Sequence, residues 1–122
     1  MNRRSKYLTA FLLAAIALGL VFYHPRNARA DGARVIEITA RRFEFTPNRI
    51  TLKKGETVVL RLTSQDVAHG FFLRPLKIDE IIDPTKPTEL TITPQTAGTF
   101  TTICDHFCGV NHGNMKMTIV VE

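Results

Sequence analysis

Cysteine is scarce in this chain of 122 residues: there are two, Cys104 and Cys108, and both lie in one short stretch. None lies near the N-terminus, so a lipid-modified N-terminal cysteine is excluded. Charge of one sign is missing from most of the chain as well. The formal net charge of +5 arises from 16 basic and 11 acidic residues. Arg3, Arg4, Lys6, Arg26 and Arg29 supply the whole excess, with no acidic residue before Asp31. From Asp31 onward the two signs balance, which leaves no basic patch to recruit nucleic acid or anionic lipid. That same part has no internal repeat, no low-complexity tract, no linker and no capped helical stripe. Its carboxylates do not group into an acid–base pair, and no Ser-His-Asp pattern or phosphate loop is present, so a hydrolase is unsupported.

What is present begins with a leader. Residues 1–30 read as a positive "MNRRSK", an apolar "YLTAFLLAAIALGLVFY" and a polar "HPRNARA" ending in Ala-Arg-Ala before Asp31. This is the layout of a secretory signal peptide. The apolar run over residues 7–23 is a little shorter than the about 20 residues that span a bilayer comfortably, yet long enough to stay as a single uncleaved anchor. Arg3-Arg4 matches a twin-arginine signal poorly. The expectation is an exported, periplasmic or otherwise extracytoplasmic protein, in contact with the cytoplasmic membrane only if the leader is retained.

Residues 31–122 suffice for one small domain, and the pattern is strand throughout. "RVIEIT" alternates, "RITLKK" follows a Pro47-Asn48 turn, and "TVVLRLTS" follows a Lys54-Gly55 turn. "ELTITP", "GTFTTIC" and "MKMTIVVE" come later. Short runs of Val, Ile, Thr and Phe punctuated by Pro and Gly predict an all-β sandwich or barrel.

The chemistry concentrates in "CDHFCGVNHGNM", residues 104–115. On a helix Cys104, Cys108, His112 and Met115 would share one stripe, but Gly109, Asn111, Gly113 and Asn114 are poor helix residues. A loop between two strands is therefore expected. Thiolate and thioether sulfur select soft metals, copper above all, and imidazole suits copper and zinc alike. A further histidine should arrive from a distant strand end, and His69 in "SQDVAHGFF" fits. A Cys104–Cys108 disulfide leaves His69, His112 and Met115 unexplained, and a zinc site of His69, Cys104, Cys108 and His112 leaves Met115 idle. Met117 is expected in the core by the strand period of two. Asp66 is expected to shape the turn before His69, and His24 has no expected role.

The pattern C-x3-C-x3-H-x2-M, together with "DVAHGF", resembles the CuA-bearing cupredoxin domain of cytochrome c oxidase subunit II and of nitrous oxide reductase. Gly109 after the second cysteine is closest to the subunit II type. The resemblance extends over essentially all of residues 31–122 and implies a cupredoxin-like Greek-key β-sandwich. It also implies two copper ions bridged by Cys104 and Cys108. His69 and Met115 would complete one copper, and His112 with the backbone carbonyl of His106 the other. The implied function is one-electron transfer with a c-type cytochrome, another redox protein or a terminal reductase. The rivals are an oxidase subunit and a copper-delivery protein; a mononuclear blue-copper site would leave Cys104 without a use. The chain departs from the family pattern in the histidine at position 106, often acidic or glutamine in relatives. It also has a short leader in place of one or two firm transmembrane helices.

Overall fold

The computed structural model describes residues 32–122; the leader, its cleavage position and His24 lie outside the described residues. Nine strands alternate with short turns: β1 Arg34–Arg41, β2 Glu44–Thr46, β3 Arg49–Leu52, β4 Val58–Ser64, β5 His69–Leu73, β6 Ile78–Ile82, β7 Thr88–Ile92, β8 Gly98–Ile103 and β9 Lys116–Val121. No helix among the described residues is long and apolar enough to cross a membrane.

The strands form two sheets, ordered β2-β1-β4-β7 and β3-β9-β8-β5-β6. Both are mixed: β1 runs parallel to β4 and β3 parallel to β9, and the other pairs are antiparallel. Alternation explains the sandwich. In β4, Val58, Leu60 and Leu62 are buried while Val59, Arg61 and Thr63 are half-buried. In β9, Met117, Ile119 and Val121 point inward and Lys116 is exposed. A period of two places every inward residue on one face, and each such apolar side chain stabilises the fold by about 1.5–3 kcal/mol relative to exposure. Ile38, Ile50, Leu52 and Ile82 join them between the sheets, and the rings of Phe45 and Phe71 meet edge to face at 5.5 Å.

The six quoted strand patterns correspond to β1, β3, β4, β7, β8 and β9. Three strands were not foreseen: β2, β5 and β6. His69 therefore does not hang from the end of β4; it opens β5, a strand of the other sheet. Met117 lies in the core, as expected.

Candidate metal centre

The segment between β4 and β5 folds around one carboxylate. Ser64 Oγ accepts the Asp66 N–H at 3.2 Å and donates to the Val67 carbonyl at 2.5 Å, while Asp66 Oδ1 accepts the Val67 N–H at 2.7 Å. Asp66 thus shapes the turn, as the sequence led one to expect. It also does more. Its Oδ1 lies 2.6 Å from His69 Nε2, and its Oδ2 accepts the Arg42 backbone N–H at 2.7 Å. Burial opposes ionisation of Asp66, but the donors Arg42, His69 and Val67 outweigh it and hold the pKa at about 2. An ionised carboxylate can only accept, so the neutral tautomer of His69 that fits this contact has its proton on Nε2 and its lone pair on Nδ1. That Nδ1 is buried and has no hydrogen-bond partner among the described residues, in a residue with 0% exposure.

The cysteine loop leaves β8 after Ile103 and is closed at its base by Cys104 N–H donating to the Met115 carbonyl at 3.0 Å. It is a loop with a single 3-10 turn, His112–Asn114, and not a helix. Cys104, Cys108 and Met115 are all buried. Cys104 Sγ and Cys108 Sγ stand 3.5 Å apart as free thiols, well beyond the about 2 Å of a disulfide bond. Met115 Sδ lies 4.0 Å from Cys108 Sγ. The Cys104 thiol donates to the His106 carbonyl at 3.2 Å, and the side chain of His106 is exposed. His69, Cys104 and Cys108 present donor atoms within 4.8 Å of one another. His112 does not join that group. Its ring is half-buried edge-on to Phe107 at 5.2 Å, and its Nδ1, like that of His69, is buried without a partner.

Electrostatics keep the metal-free Cys108 thiol protonated. Burial, then the hydrogen bond and charge of Cys104 and the charge of Asp66, push Cys108 up to about 11, with Arg42 opposing. A coordinating cation removes such a proton outright. The donors available once it leaves are two thiolates, one thioether and two neutral imidazoles, a set that suits copper better than zinc or a hard cation.

Two glycines permit the close approach. A Cβ on Gly70 would fall on the Asp105 carboxylate and stand 2.5 Å from the His106 nitrogen and 2.7 Å from that of Asp105. Its absence lets the Gly70 N–H reach Cys104 Sγ at 3.3 Å. Gly109 has φ +144°, and a Cβ there would stand 2.8 Å from the Phe43 ring. Sequence reasoning missed Phe43 and Arg42, which lie under the loop from the tip of the β1–β2 hairpin. Arg42 Nε donates to the Cys108 carbonyl at 2.6 Å. No ligand spacing points to either residue; the only signal is that "RRF" sits at a turn.

A two-sheet sandwich that gathers thiols, a thioether and imidazoles from one loop and the start of β5 has the build of a small soft-metal protein. The Cupredoxin-like domain family matches residues 12–121, and the chain belongs to it. A cytochrome c oxidase subunit 2 of Thermus thermophilus is 33% identical over 87 residues, 71% of this chain and 64% of that protein. A nitrous-oxide reductase of Cupriavidus necator is 31% identical over 97 residues, 75% of this chain and 15% of the reductase. The periplasmic domain of subunit II of cytochrome oxidase of Bradyrhizobium japonicum shares the fold. Its TM-score is 0.67 at 18% identity, over 73% of this chain and 83% of that domain. The chain spans 64% and 52% of the lengths of the first two curated relatives, both subunit 2 proteins.

Proposed function

We propose that the chain is a one-electron carrier built around a binuclear CuA copper centre. The carrying observation is that the buried, unpartnered Nδ1 belongs to a His69 with a donor atom within 4.8 Å of two thiols that stand 3.5 Å apart. A buried polar atom left unpaired is costly, and a soft cation held by those thiols would relieve it. Cys104 and Cys108 would bridge the two ions, His69 and Met115 would complete one, and His112 with the His106 carbonyl the other. Bound copper supplies a one-electron couple. Around it, Asp66 fixes the tautomer of His69, and Gly70 N–H donates to the Cys104 sulfur. The burial of Cys104, Cys108, His69 and Met115 keeps water from the donors. Rigid, prepaid placement of ligands limits the rearrangement that each electron transfer demands.

The position of His106 supports its role through the backbone: the carbonyl faces Cys104 while the side chain is turned to solvent. Met115, close to Cys108 Sγ, favours copper over zinc. Phe107 and Val110, 70% and 98% exposed, form an apolar surface beside His112. In this reading a c-type cytochrome or another redox protein docks there, outside the cytoplasmic membrane, with residues 1–30 as the export signal or anchor and residues 31–122 as the cupredoxin domain. Sequence identity to subunit 2 proteins supports a second reading, in which the chain is the copper subunit of a haem–copper cytochrome c oxidase.

The test is reconstitution of the chain with copper under mildly reducing conditions, followed by metal analysis and EPR. Two copper ions per chain, with hyperfine structure from one electron shared equally by two nuclei, are expected. Cys104→Ser should abolish that pattern. A single-nucleus spectrum in the parent, or one unchanged in Cys104→Ser, refutes the binuclear centre.

A further inference from the structure

We propose that Arg42 is a positioning residue that clamps the metal loop and sets the charge balance of the centre, an inference that rests on the copper reading above. Arg42 lies at the tip of the β1–β2 hairpin, between Arg41 and Glu44, and so belongs to the sheet that supplies none of the candidate ligands. Its backbone N–H holds Asp66 Oδ2 at 2.7 Å, and its Nε–H holds the Cys108 carbonyl at 2.6 Å. One residue therefore ties the carboxylate that orients His69 to the backbone of the second cysteine. Those two anchor points are otherwise far apart in the chain, and each belongs to a loop that joins two strands. Phe43 completes the clamp by filling the space under Gly109.

The chemistry of the side chain matters as much as its reach. Guanidinium is charged at every working pH and donates along a fixed direction. A hydrogen bond from a charged donor is stronger than one between neutral groups, and this one ends on a carbonyl attached directly to a thiolate-bearing residue. A fixed cation at that point stabilises whichever state of the centre holds the extra electron. Arg42 should therefore raise the reduction potential while holding Cys108 and His69 in register.

Two measurements test this separately. In the metal-free chain, nitrogen-15 NMR should show the Arg42 Nε–H exchanging with solvent about tenfold more slowly than that of Arg74. Arg74 is exposed and makes no side-chain hydrogen bond among the described residues. In the copper-loaded chain, Arg42→Met should shift the oxidised–reduced equilibrium toward the oxidised state by about three- to tenfold, the scale of one partly screened charge. Tenfold corresponds to about 59 mV in a one-electron couple. Arg42→Lys, which keeps the charge and loses the planar donor, should restore most of that shift. An Nε–H that exchanges as fast as that of Arg74 overturns the clamp. A midpoint that Arg42→Met leaves unmoved overturns the charge-setting role. A parent chain that takes up no copper overturns the reading of the site, and the exchange measurement still decides the clamp.

Discussion

Replacing Asp66 by asparagine removes one negative charge from a carboxylate that accepts from Arg42 N–H, Val67 N–H and His69 Nε2. Asp66 sits at about 2 against an ordinary 3.8, a depression worth up to about 2.5 kcal/mol at neutral pH. Its side chain is 29% exposed, and solvent screening brings the expected loss to about 1–2 kcal/mol. The native pKa is the lower one. The contribution is therefore complete above about pH 4 and disappears as the pH falls from about 4 to about 2. Urea unfolding of the metal-free chain at a series of pH values should show parent and Asp66→Asn separated at pH 7 and converging across that window. The same change frees the His69 ring to take the wrong tautomer. Copper affinity, measured by competition with a cuprous chelator, should fall about ten- to a hundredfold, as for other residues that orient a metal-binding histidine. Two pH profiles that run parallel down to pH 2, with copper affinity unchanged, would refute the role assigned to Asp66.

Two further substitutions test the loop. Gly70→Ala must displace the backbone at Asp105 and His106, so the chain should lose about 1–3 kcal/mol of stability and bind copper less tightly; thermal melts and copper titrations that match the parent would show that the loop yields freely. Phe107→Ser with Val110→Ser should leave stability within about 0.5 kcal/mol of the parent and the copper spectrum intact, yet slow electron exchange with a c-type cytochrome about tenfold, the loss of one modest hot spot. Stopped-flow rates equal to those of the parent would place the docking surface elsewhere.

The sequence was most informative where side-chain pattern and backbone geometry coincide. β4 and β9 alternate almost without interruption, and both were legible. β5 was not. It opens with His69-Gly70, a buried polar residue and a residue with no side chain, so nothing apolar marks its start. β6 is covered only along the inner face, leaving Ile81 outside beside Asp79, and β2 has three residues, too few for any period to register. The candidate donors were legible because soft-metal chemistry restricts them to few residue types, and a short loop brings most of them together. What supports the donors was hidden. Arg42 acts through its backbone and its Nε, and Gly70 through the atom it lacks. Such roles depend on the path of the main chain and leave no compositional trace.

The larger sheet has a seam. β8 and β9 stay in register over the whole of β8, and β5 and β6 over the whole of β5, but β5 meets β8 through the single registered pair Phe72–Ile103. Thr102 adds one side-chain bond across it, to the Phe72 carbonyl at 2.8 Å. His69 stands on one side of this seam, and the two cysteines belong to the loop on the other. A metal gripped by both sides is then a rivet as well as a redox group. It would carry mechanical load where the backbone ladder is thinnest, and it would report, through its retention or release, whether the two halves of the sheet are still joined.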